Sequence, residues 1–101
     1  MHVVQLLLPL FDNEGRPFPE AMMRQIREEL VACFGGVTAF SRTPAEGVWS
    51  DHGCKVRDEV ILVEVMVETL DRTWWAHFRE ELQTRLKQKS LVIRALGAER
   101  L

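Results

Sequence analysis

A chain of 101 residues, 47% of them apolar, has room for one hydrophobic core and reads as a single domain over 1–101. Its 13 Lys and Arg are offset by 15 Asp and Glu to a net charge of −2 and are scattered along the chain, which argues against a nucleic-acid partner. Two cysteines, Cys33 in a predicted helix and Cys54 in a predicted strand, do not make the disulfide framework of a small secreted domain, so a cytoplasmic setting is expected.

Residues 1–10 are apolar but carry no basic leader segment and no small-residue cleavage site, so the segment reads as neither a signal peptide nor a membrane span. Val3 to Leu10, β-branched and aliphatic with Gln5 as the one interruption, predicts strand β1, and Asp12, Asn13, Gly15 and Pro17 predict the loop after it. Pro19 suits a first helical turn, and Met22, Met23, Ile26, Leu30, Cys33 and Phe34 fall on one face of helix α1. Gly35-Gly36 ends that helix. Val37 to Trp49 predicts β2, an edge strand because Pro44 cannot donate to a ladder. The turn Ser50-Asp51-His52-Gly53 then leads into β3, Cys54 to Val67, long enough to pair back along all of β2.

Asp71 or Thr73 can cap helix α2, whose inward stripe is Trp75, Phe78, Leu82 and Leu86, and Leu91 to Leu96 predicts β4. The order βαββαβ is the ferredoxin-like arrangement of the α+β class. Right-handed crossovers then give an antiparallel sheet of order 4-1-3-2 with both helices on one face.

The second face of that sheet does not read as wet. Val3, Leu7, Leu62, Met66 and Val92 all fall on it, a larger apolar patch than a monomer ordinarily leaves in water, and a homodimer formed through the sheet is the simplest cover. Three polar residues, Gln5, Glu64 and Arg94, fall at its middle on adjacent strands. One reading is an interfacial ion pair with a hydrogen-bonding glutamine that fixes the register of two sheets. The other is a small ligand pocket, in which Arg94 and Gln5 bind an anionic group and a partly desolvated Glu64 serves as general base.

A second candidate site is the rim where the β1–α1 loop, the β2–β3 turn and the α2–β4 turn are expected to meet. It would gather Asp12, Asn13, Arg16, Trp49, Asp51, His52 and Lys89, with His52 as acid–base group because imidazole titrates nearest neutrality, and Arg16 and Trp49 as ligand contacts. His52 and Cys54 lack the further ligands that zinc needs, so no metal and no cofactor are expected. His77 reads as a solvated helix residue and Trp74 as the flank of the inward stripe.

The run Gly36-Val37-Thr38, then Gly47-Val48-Trp49, then Arg57-Asp58-Glu59 opening a long aliphatic strand, resembles a family of small uncharacterised bacterial ferredoxin-like proteins over nearly the full chain. The resemblance implies the fold and a bacterial cytoplasmic setting and brings no activity or catalytic residue with it. In architecture alone the chain also looks like the dimeric α+β barrel group, which includes small monooxygenases and stress-response proteins whose paired sheets enclose a pocket. The expected function is a homodimeric, non-catalytic binding or interaction module with no membrane partner. The alternative is a small cofactor-independent enzyme acting on an acidic or aromatic metabolite, with Arg94 as anion anchor and Glu64 or His52 as the acid–base group.

Overall fold

The structure, a computed structural model, describes the backbone of residues 1–51 and 54–101 and the side chains of 1–38 and 60–101. Along the chain run β1 (His2–Pro9), α1 (Glu20–Phe34), β2 (Thr38–Asp51), β3 (Cys54–Val67), α2 (Arg72–Arg85) and β4 (Val92–Gly97). β1 is the middle strand of the described body, antiparallel to β3 on one side and to β4 on the other.

Strand alternation decides what this sheet buries. Val4, Leu6 and Leu8 of β1 and Ile61, Val63, Val65 and Val67 of β3 point to the same side, where all are buried. α1 covers them with Met23, Ile26 and Leu30, and α2 covers them with Trp75, Phe78 and Leu82. Leu86 and Leu91, on either side of the α2–β4 turn, complete one core cluster between the sheet and the helices. Each fully buried leucine contributes about 2 kcal/mol by leaving water, so this face carries most of the stability.

The helix ends follow local chemistry. Pro19 stands at the N-cap of α1 and not inside the first turn, with an extended ψ of 137°, and its carbonyl accepts from the amides of Met22 and Met23. α1 stops at Gly35, whose φ of 81° is open to glycine at little cost and lets its N–H reach the Val31 carbonyl at 2.7 Å. Asp71 caps α2, its carboxylate accepting from the Trp74 amide at 3.1 Å.

One helix-face expectation needs revision. Cys33 is exposed, not buried on the inward stripe. Phe34 stacks on Trp75 with ring centroids 5.1 Å apart and meets Trp74 edge-on at 5.0 Å, so α2 lies on the Phe34 flank of α1 and the Cys33 flank is left to solvent. Trp74 in turn stacks on Phe78 at 5.0 Å, which makes it part of the aromatic packing between the helices.

Candidate functional site: the open sheet face

The residues of β1, β3 and β4 that point away from the helices form a grid of three rows, fixed by register. Leu96, Val3 and Met66 make one row, Arg94, Gln5 and Glu64 the next, and Val92, Leu7 and Leu62 the third. The outer rows are apolar, and Met66, Val92 and Leu96 are 61%, 49% and 48% exposed. Leu96 was missing from the patch read in the sequence, although the alternation that places Val92 and Arg94 outward places it outward too.

The middle row is a hydrogen-bonded relay. Arg94 Nε donates to Gln5 Oε1 at 2.7 Å, and Gln5 Nε2 donates to Glu64 Oε2 at 2.9 Å. Both bonds carry an ionised partner and are correspondingly stronger than bonds between neutral groups. They also fix the amide of Gln5, with its oxygen toward the cation and its nitrogen toward the carboxylate. Within one chain Glu64 and Arg94 do not meet directly. β1 separates β3 from β4, so Glu64 and Arg94 stand two strand spacings apart, about 10 Å between backbones, and Gln5 spans the gap.

At one end of the face a cleft of about 560 Å³ opens between the Gly35–Thr38 connection and the side chains of Val3, Glu64 and Met66. Thr38 lies opposite Glu64 in the β2–β3 register, which brings the α1–β2 connection beside the relay's acidic end. The Gly36-Val37-Thr38 run had served only as a family mark. Its place next to a carboxylate depends on how far α1 overhangs the sheet, which local sequence does not encode.

Two of the three segments of the expected rim lie among the described residues. The β1–α1 loop and the α2–β4 turn do meet, but their polar groups hold one another: Asn13 Nδ2 donates to the Lys87 carbonyl at 2.9 Å, and Gln88 Nε2 reaches Asn13 Oδ1 at 3.4 Å. Asp12 Oδ1 accepts from the amides of Glu14 and Arg16 at 2.9 and 2.8 Å, closing the loop on itself. Arg16 pairs with Glu14 and lies 3.8 Å from Asp12 with most of its side chain in water. It is a loop residue at the end of β1 opposite the cleft, not a contact to the relay. β3 runs on past Val60, the residue paired with Pro9, to Cys54. His52 and the side chains of Trp49 and Asp51 lie outside the described residues.

On the helical side, His77 is exposed and shares a groove between the helices with Glu29, Glu80 and Arg85. Among the described residues no three His, Cys, Asp or Glu side chains are placed to hold a metal ion, and no helix is long and apolar enough to cross a membrane.

No family model and no curated protein matches the chain. Among solved structures it is similar to a phage SAM lyase in complex with S-methyl-5′-thioadenosine, with a TM-score of 0.59 and 13% identity over 94% of this chain and 79% of that one. It is also similar to a phage SAM lyase in the apo state, with a TM-score of 0.55 and 14% identity over 99% of this chain and 91% of that one. At such identities the likeness bears on the fold alone: a small α+β body of antiparallel strands and two helices.

Proposed function

We propose that this protein is a homodimeric, non-catalytic binding or interaction module of the ferredoxin-like type, with a sheet of order 4-1-3-2 and an open face covered by a second copy. The observation that carries this reading is the composition of the open face: two apolar rows flank one polar row linked across the three strands by hydrogen bonds. Six apolar positions on a single surface are what an interface core needs, and a polar row whose remaining donors and acceptors are met by the second copy can fix its register. The pairing of Thr38 with Glu64 supports β2 as the outer strand. The bacterial cytoplasm, and kinship with the small bacterial ferredoxin-like proteins, belong to the same reading. Native mass spectrometry on freshly purified protein tests it. Twice the chain mass is expected, and a monomer at tens of micromolar would overturn the dimer.

The cleft beside Glu64 favours a second reading, a small cofactor-independent enzyme acting on an aromatic or acidic metabolite. It is lined by apolar Val3, Phe34, Val37 and Met66 together with Thr38 and the Glu64 carboxylate, and its volume suits a nucleoside-sized molecule. The similar phage structures make S-adenosylmethionine and S-methyl-5′-thioadenosine the first compounds to try. Binding by calorimetry that is lost in Glu64→Gln, together with turnover followed by chromatography, would move the function from module to enzyme. Absence of binding at millimolar concentrations would leave the module.

A further inference from the structure

The middle row of the open face has a property that neither apolar row has: its two ends differ. It reads cation, amide, carboxylate from β4 through β1 to β3, with Gln5 at the centre. A pattern that reverses sign about its midpoint is complementary to its own reflection, and this limits how two copies can face each other.

Two sheets that pack face to face across a two-fold axis must have that axis in the plane between them, and two orientations can be compared. If the axis lies along the polar row, each residue of the row meets its own counterpart, so Glu64 opposes Glu64 and Arg94 opposes Arg94. Like charges then face each other twice in a partly desolvated layer, which costs several kcal/mol. If the axis lies along β1 through Gln5, the two ends of the row exchange. Glu64 then opposes Arg94 of the second copy, twice by symmetry, and Gln5 opposes Gln5. The apolar rows do not choose between these arrangements. With the axis along β1, Met66 faces Leu96 and Leu62 faces Val92, and with the axis along the row, Met66 faces Leu62. Only the charges decide.

We infer, on the footing of the sheet-to-sheet dimer proposed above, that the two copies are related by a two-fold axis running along β1 through Gln5, with Glu64 of each copy paired to Arg94 of the other. The relay within each chain prepares this pairing. Gln5 engages one oxygen of Glu64 and the Nε of Arg94, leaving each charged group further donors or acceptors for the partner. Sheets packed with their strands within about 30° keep such an axis close to the strand direction. At a lateral distance of about 5 Å from the axis, that rotation moves the facing groups by only about 2.5 Å, well within the reach of an arginine and a glutamate.

The test uses the full chain in a Cys33→Ser, Cys54→Ser background and reads proximity and association separately. Glu64→Cys and Arg94→Cys chains, mixed in equal amounts and treated with a short bis-maleimide, are expected to give a 64–94 cross-linked dimer, with much less product from either chain alone. Efficient linking of Glu64→Cys to itself would overturn the axis and place it along the row. Association is read by sedimentation with cysteines unchanged. Glu64→Arg and Arg94→Glu, each checked for folding by circular dichroism, are each expected to raise the dimer Kd at least about tenfold, and their equimolar mixture to recover dimer. Single variants within about twofold of the parent Kd would overturn the pairing. A parent that is dimeric but yields no 64–94 product refutes the axis while the dimer stands, whereas a monomeric parent refutes both.

Discussion

The two faces of the sheet are carried by the same strands through alternate residues, and they differ in what has already been done with their apolar surface. On the helix side, Leu6 and Val63 are fully buried and Val4, Leu8 and Val65 nearly so, all within one chain. On the open side, Leu7 and Leu62, their immediate neighbours in sequence, are only partly covered, and Met66 is more exposed than covered. Hydrophobicity is similar on the two sides, so the difference arises from which side α1 and α2 return to. The helix side therefore holds the core of the fold, and the open side is the surface on which the proposed dimer would form.

Substitutions one residue apart on β1 should separate these roles. Leu6→Ala removes a fully buried side chain from under both helices and is expected to cost about 3 kcal/mol in urea denaturation, followed at fixed protein concentration because the proposed dimerisation would shift the midpoint. A loss below about 1 kcal/mol would mean that the core collapses into the vacancy and that the two faces are less distinct than their burial indicates. Leu7→Asp places a charge on the open face beside Leu62 and Val92. It is expected to leave the fold intact by circular dichroism and to raise the dimer Kd more than about tenfold by sedimentation. If it unfolds the chain instead, the open face belongs to the core and the separation of roles fails.

How much of this was legible in the sequence depends on the range of the interaction. The period-two pattern of β1 and β3 gave the buried side residue by residue, because alternation is set by local backbone geometry. The same pattern brought Gln5, Glu64 and Arg94 together, since the strand order followed from crossover handedness. The relay within one chain was within reach too, given that β1 lies between the two charged strands, but it needed the lateral spacing to be counted. Cys33 was misplaced because helical periodicity gives an angular position and not the flank on which the second helix packs. The described part of the rim turns on finer distances. Chain order brings Asn13 near Lys87, but whether their polar groups serve a ligand or each other depends on distances of an ångström. The cleft beside Glu64 was not read at all, because it is made by the path of a connection and not by any residue pattern.

Smaller effects should arise where the helices are fixed to one another and to their loops. Asp71→Ala removes the acceptor for the Trp74 amide at the start of α2 and is expected to cost about 1 kcal/mol, with Asp71→Asn recovering most of it. An alanine variant as stable as the parent would show that water replaces the carboxylate at no cost and that the aromatic cluster alone sets where α2 begins.

The smallest expected effect joins the two helices directly. Arg85 Nη1 lies 2.7 Å from Glu29 Oε2, so the last turn of α2 is tied to α1, but the two side chains remain 28% and 43% exposed. Solvent at that exposure screens the attraction and holding two long side chains costs entropy, so Arg85→Ala is expected to lose about 0.5 kcal/mol in urea denaturation. The charge part of that loss should fade as salt shortens the Debye length from about 10 Å near 0.1 M to about 3 Å near 1 M, whereas packing of the arginine stem against α1 should not. A difference between parent and variant that persists undiminished at high salt would therefore assign this contact to packing. The helix pair would then belong wholly with the apolar side of the sheet, with no electrostatic share in holding α1 to α2.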